Sequence, residues 1–324
     1  MKRFLLALVC AIACVISLAE PAAAKYPDRP ITVIVPLAPG GPADALARVI
    51  AQKLQERLGQ TVVVDPKPGA LGLIAAEIGA RAKPDGYTIV MVSSGLAVQV
   101  ATQPKLIKFD VYKDLTPITY AVKVPMVVAA DVNQPFKTMQ EFVAYAKAKP
   151  GALSVGVSPG LGGTSHLTLE RMKLSVGLDV LPVPYKGSAP AVQALLSGEV
   201  PVVIDALAGA SALIDSGKVR ALAMLTETPV INHEKIPTIA AAGYPGLAAD
   251  TWNGFMVPGG TPREIVDLLH RELVAILALP DVKEKALAIG FEPATCTPEQ
   301  FAESFQRAVA TWTKVVSDAK LTFE

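Results

Sequence analysis

Cysteine is scarce in this chain of 324 residues: there are three. Cys10 and Cys14 fall within the first 24 positions, and only Cys296 lies beyond them. One remaining thiol excludes an internal disulfide framework, and no CxxC pair stands ready for a metal. Histidine is as sparse: His166, His233 and His270 are scattered, with no HExxH. No metal and no cofactor is therefore expected. Charged residues make up 18% of the chain, the net charge is +1, and no long basic run occurs, so nucleic acid is a poor partner. Hydrophobic residues make up 51%, which argues against disorder. Beyond the N-terminal segment no apolar run approaches the roughly 18 residues of a membrane span.

The N-terminus has its own grammar. Lys2 and Arg3 precede a largely apolar run over 4–18, then Pro21 and Ala22-Ala23-Ala24. This is the n-region, h-region and A-x-A site of an export signal, so residues 1–24 read as a signal peptide cleaved after Ala24. An uncleaved anchor or lipid attachment at Cys14 are the weaker readings; the apolar run is short, and Ala11-Ile12-Ala13 is a poor lipoprotein signal. Removing Lys2, Arg3 and Glu20 leaves equal numbers of acidic and basic residues.

From there the pattern alternates. Strands are predicted over 31–35, 61–64, 88–92, 126–130, 153–157, 180–183, 200–204, 219–225 and 254–257. Helices are predicted over 43–58, 73–82, 139–149, 165–174, 189–196, 210–216, 263–277, 281–289 and 298–319. Length suggests two domains. The alternation argues for an α/β fold with parallel sheets covered on both faces, which bind ligands beyond the carboxyl ends of their strands.

Glycine-rich turns stand at those ends. The first, Leu37-Ala38-Pro39-Gly40-Gly41, links the first strand to the first helix, with Pro42 suited to the first helical position and Asp44 in the first turn. Its amides, those of Gly40 and Gly41 above all, read as an anion site made of backbone dipoles. The P-loop GxxxxGK[ST] is not met, so a carboxylate suits the turn better than a phosphate. The plain alternative is a tight connection with Asp44 as a helix-start charge. Replacing Gly41 by a β-branched residue is expected to abolish carboxylate binding while leaving the fold intact.

The second turn, Pro159-Gly160-Leu161-Gly162-Gly163, precedes Thr164, a plausible helix N-cap. It lacks the spacing of GxGxxG, so a nicotinamide cofactor is not expected. Ser165-His166 has no GxSxG around it, and His166 reads as a structural hydrogen-bonding residue. Ser93, Ser94, Tyr185, Ser188 and Asp205 are candidates for the distal side of a cleft. Asp205 ends the apolar run VPVVID and reads equally as a ligand acceptor or a loop cap. Trp252 reads as core, with a cleft wall as the alternative.

These segments together resemble one known family. YPDRPITVIVPLAPGG with Asp44 and Ala47-Arg48, KPDGYTIV, KDLTPI, AKAKPGALSVGVSPGLG, VPYKGSAPAVQALLSGEV, GKVRALAML and TWNGFMVPGGTP look like the solute-binding proteins of tripartite tricarboxylate transporters, the Bug or TctC-like family. The resemblance covers roughly residues 26–320. It implies a periplasmic-binding-protein type II fold, with lobes formed by residues 25–122 with 249–324 and by 123–248. It implies that both glycine turns clamp a ligand carboxylate through backbone groups and bridging waters. It also implies a monomeric periplasmic protein, not an enzyme, that delivers its ligand to membrane permease subunits. Di- or tricarboxylates, aromatic carboxylates and acidic amino acids are all candidate ligands. A sensor presenting the ligand to a membrane signalling protein is the alternative. A periplasmic enzyme is disfavoured because no nucleophile–base pair or metal set is visible. The chain departs from the family where Leu37 replaces a usual Phe, where Ala43 replaces a hydroxyl residue, and near Gly163, where Ser or Thr is usual.

Overall fold

The computed structural model describes residues 26–249 and 251–323. The segment read as a signal peptide lies outside the described residues. Two sheets organise the rest. The first contains β1 (Ile31–Val35), β2 (Val62–Pro66), β3 (Thr88–Ser93), β4 (Leu115–Lys123), β10 (Trp252–Pro258) and β11 (Glu292–Pro293), in the order β11-β4-β10-β3-β1-β2. The second contains β5 (Met126–Asp131), β6 (Leu153–Val157), β7 (Val180–Pro184), β8 (Val202–Ala206) and β9 (Val219–Met224), in the order β7-β6-β8-β5-β9.

Strand period two decides which face each residue covers. In β1, Ile31, Val33 and Val35 pack under α1 (Pro42–Leu58) and α8 (Arg263–Leu277), while Ile34 packs on the opposite face. That opposite face is covered by α2 (Leu73–Ala80), α3 (Ser94–Thr102) and α10 (Pro298–Asp318). In β5, Val128 and Ala130 face α4 (Met139–Ala148) and α5 (Thr164–Val176). Val127 and Ala129 face α6 (Ser188–Leu196) and α7 (Leu207–Asp215). A short α9 (Pro280–Ala288) completes the first lobe. None of the described helices is long and apolar enough to cross a membrane.

The expectation of parallel sheets needs correction, because both sheets are mixed. β10 runs antiparallel to β3 and β4, and β5 runs antiparallel to β8 and β9. The cause is the passage between lobes. β1, β3, β6 and β8 end at the cleft, whereas β5 and β10 start there and must run the other way. β4 and α3 are also additions to the predicted elements. β4 contains Pro117, a residue that argues against a paired central strand. α3 is buried nearly all round, with no polar face to mark its period.

The chain crosses between the sheets at Val124-Pro125, and again between Met224 and Trp252. The crossings are paired: Val124 N–H donates to the Thr251 carbonyl at 2.8 Å, and Thr251 Oγ donates to the Val124 carbonyl. Away from this hinge, Leu167 of α5 packs with Val98 of α3 and Trp312 of α10, so the C-terminal helix touches both lobes.

Candidate functional site

Between the lobes lies a cleft of about 460 Å³. Five helices begin at its walls: α1 after Gly41, α3 after Ser93, α5 after Gly163, α6 after Gly187 and α7 after Ala206. Pro42, Ala43, Ser94, Gly95, Thr164, Ser165, Gly187, Ser188, Ala206 and Ala208 all line it. Each helix start carries unpaired N–H groups and roughly half a positive charge. Among the described lining residues there is no Lys, Arg or His; the one ionisable side chain is Asp205. The cleft is thus made favourable to anions by backbone dipoles alone.

The first turn uses its glycines differently from the sequence expectation. Gly40 N–H donates to Asp44 Oδ2 at 3.0 Å, and Gly41 N–H donates to the Ala38 carbonyl at 3.3 Å. These amides hold the turn and are engaged within it. The donors left to face the cleft are the first helical amides, beginning at Ala43, since Pro42 has none. Asp44 is buried beneath the turn and held by Arg48, whose Nε donates to Oδ2 at 2.9 Å and whose second guanidinium nitrogen donates to Oδ1 at 3.1 Å. The Arg48 hydrogen bond, with the Gly40 amide, holds the Asp44 carboxyl below its ordinary value. Of this turn only Leu37 reaches the lining; Ala38, Pro39 and Gly40 are exposed at the lip. Gly40 needs a left-handed backbone (φ 79°), whereas Gly41 has φ −77° and an added Cβ would meet only the Ala38 carbonyl at 3.4 Å. The structural demand for glycine therefore lies at Gly40 rather than Gly41.

The second turn is braced in the same manner. Gly162 N–H donates to His166 Nδ1 at 3.1 Å, and Ser165 Oγ donates to the Ser158 carbonyl. His166 is buried, and desolvation lowers its pKa, so the ring is neutral with its proton on Nε2, 3.7 Å from Glu170 Oε1. Its structural reading is supported by this contact. Gly160 and Gly162 adopt positive φ, and a Cβ on Gly163 would stand 2.8 Å from the Pro159 carbonyl. Gly163, not Thr164, is the N-cap of α5; Thr164 is the first helical residue and lines the cleft with Pro159.

On the distal side, Ser93, Ser94, Ser188 and Asp205 line the cleft. Asp205 is 3% exposed, and its Oδ1 accepts the Ala206 N–H at 2.8 Å. Its Oδ2 is buried and makes no well-directed hydrogen bond among the described residues. Burial pushes the carboxyl up to about 6; the nearby Ser188 hydroxyl, the Ala206 amide and the Ser158 hydroxyl offset part of that cost. Tyr185 is not brought to the cleft: its hydroxyl donates to Glu199 Oε1 at 2.8 Å.

Sequence reasoning missed several lining residues. Leu71, Met126, Ser158, Asn253 and Phe291 come from five separate segments, and only the fold gathers them. Trp252, read as core, is 1% exposed and forms part of the cleft floor as well. The fold also creates a nucleophile–base pair that the sequence hid: Ser211 Oγ is 3.2 Å from His233 Nε2, and His233 Nδ1 is 3.6 Å from Asp215. It lies in an adjoining cavity outside the cleft. Ser211 is inside α7, where the flanking backbone amides are consumed by the helix and do not serve as oxyanion donors.

The chain is similar to known solute-binding proteins over nearly its whole length. The family model described as tripartite tricarboxylate transporter family receptor (TctC) matches residues 46–321. BugT of Bordetella pertussis is 37% identical over 295 residues, which are 90% of this chain and 90% of that one. A protein of R. palustris solved with adipate is 34% identical, with a TM-score of 0.79 over 92% of this chain and 99% of the other. MatC from Rhodopseudomonas palustris, solved with bound malate, is 31% identical, with a TM-score of 0.74 over 90% of this chain and 100% of the other. The chain belongs to the TctC receptor family, whose members are periplasmic solute-binding proteins and not enzymes.

Proposed function

We propose that this protein captures a small organic carboxylate in the interlobe cleft and delivers it to the membrane subunits of a tripartite transporter. The observation that carries the reading is the convergence of five helix N-termini on a cleft with no cationic side chain among its described lining residues. A carboxylate placed between Ala43 of α1 and Thr164 of α5 would face amides from both lobes, directly or through water. Adipate and malate, bound by the two R. palustris relatives, are of the same chemical class.

The lobes are 25–122 with 249–324, and 123–248, moving about the paired segments at Val124 and Thr251. Hinge closure of this kind sequesters the ligand and gives the permease one shape to recognise. Export by the N-terminal signal places the mature monomer in the periplasm.

Thermal shift of refolded, ligand-stripped mature protein against organic acids, with their amides as controls, tests the reading. A ligand well above its dissociation constant raises the melting temperature by mass action. A rise with an acid and none with its amide is expected. A rise only with uncharged solutes, or with no acid, overturns it.

A further inference from the structure

Asp205 is out of place in a cleft built for an anion. Five helix starts favour negative charge there, yet the only ionisable side chain among the described lining residues is itself an acid. It is 3% exposed and is the penultimate residue of β8, whose preceding residues Val202, Val203 and Ile204 are buried core. Of its two oxygens, Oδ1 accepts the Ala206 amide, while Oδ2 makes no well-directed hydrogen bond among the described residues; the Ser188 and Ser158 hydroxyls ease its burial without closing such a bond. Oδ2 and the Ser188 hydroxyl both face the position where a side chain on Gly209 would begin. Gly209 is needed for this approach: a Cβ there would stand 3.3 Å from Oδ2 and 3.0 Å from Ser188 Oγ.

An unpaired buried carboxylate oxygen is costly, and closure of the lobes would remove what water still reaches it. A plain alkyl chain on the ligand would leave that cost in place. A ligand group that donates a hydrogen bond would remove it.

We propose that Asp205, flanked by Ser158 and Ser188, is a specificity subsite for a hydrogen-bond donor on the ligand, a hydroxyl or ammonium carried in addition to the carboxylate. This rests on the carboxylate reading above and narrows it to hydroxy or amino acids. The site discriminates by leaving Asp205 Oδ2 without a well-directed donor when the ligand lacks one, the arrangement that gives polar pockets their largest selectivity.

The test is calorimetric titration of the mature protein with matched acids: malate and aspartate against succinate, and 4-hydroxybenzoate against benzoate. The hydroxyl and ammonium arms separate the two kinds of donor. Wild type is expected to bind the donor-bearing member of at least one pair tenfold or more tighter. Asp205→Asn keeps Oδ1 for the Ala206 amide but puts an N–H donor where Oδ2 stood, so the preference should vanish or reverse. Wild-type affinities within twofold for every pair, while some of these acids bind, overturn the proposal. So does an Asp205→Asn variant, with a melting temperature at or above wild type, that keeps the preference. If no acid of either kind binds, the carboxylate reading itself fails, and the donor subsite with it. The wild-type comparison decides the matter even if the variant does not fold.

Discussion

Gly40 and Asp44 close the first cleft turn on itself: the Gly40 amide donates to Asp44 Oδ2 at 3.0 Å, while Arg48 holds the same carboxylate from the solvent side. The loop that looked like a row of free donors is a rigid support, and the ligand-facing donors are the helical amides behind it. Preorganised donors cost no rearrangement when the ligand arrives.

Asp44→Ala should therefore weaken ligand binding without touching the ligand. Losing the acceptor leaves the Gly40 amide unpaired and the Arg48 side chain without its partner. A tenfold loss of affinity is expected, with about 1–2 kcal/mol of stability. The pH sign follows from the lowered carboxyl: the stabilisation is present above the unfolded-state value and is lost only as pH falls through the lower folded value. Melting temperatures of both proteins between pH 3 and 7 should converge at the acid end.

Asp205 has the opposite sign. Its carboxyl rises from 3.8 to about 6 on folding, so between those pH values the folded form holds a proton that the unfolded form has released. Its contribution to stability is most favourable below about pH 4 and is lost as pH rises towards 6. Asp205→Asn should accordingly be more stable than wild type at pH 7.5, by about 1–3 kcal/mol, and the gain should disappear near pH 4. Chemical denaturation at the two pH values measures this; a variant less stable at pH 7.5 would contradict the assigned burial.

His166 supports the second turn by accepting the Gly162 amide at 3.1 Å in a buried setting. His166→Leu leaves that amide unpaired and should cost about 1–3 kcal/mol. Affinity should fall as well, since the α5 amides lose their brace. Urea denaturation and titration with the best acid of the panel report both effects.

Two glycine substitutions separate backbone demand from composition. Gly163→Ala forces a Cβ to 2.8 Å from the Pro159 carbonyl and should lower both stability and affinity. Gly41→Ala puts its Cβ at an ordinary 3.4 Å and should be nearly neutral in both. Equal losses in the two variants would contradict the described turn.

Much of this molecule was legible in its sequence, for physical reasons. The strand–glycine–helix junctions at Gly41 and Gly163 announced the ends of strands where α/β folds place ligands. Length suggested two domains, the alternation of strands and helices an α/β fold, and the family resemblance the two lobes. What was not legible depends on contacts between distant segments. Nothing local says that the Gly40 amide is consumed by Asp44, that β5 and β10 reverse direction at the hinge, or that Phe291 and Leu71 meet Ser93 at one cleft. Tyr185, a candidate for the distal cleft, is drawn elsewhere by Glu199, which accepts its hydroxyl.

Backbone dipoles, without a cationic side chain, are proposed to grip the ligand's carboxylate. The most direct test is calorimetric titration of the ligand-stripped protein with an acid found by thermal shift and with its primary amide, at low and high salt. The amide is expected to bind at least a hundredfold more weakly. The acid's affinity should change little with salt, because buried dipoles are screened far less than surface charges. Equal binding of acid and amide would contradict the claim.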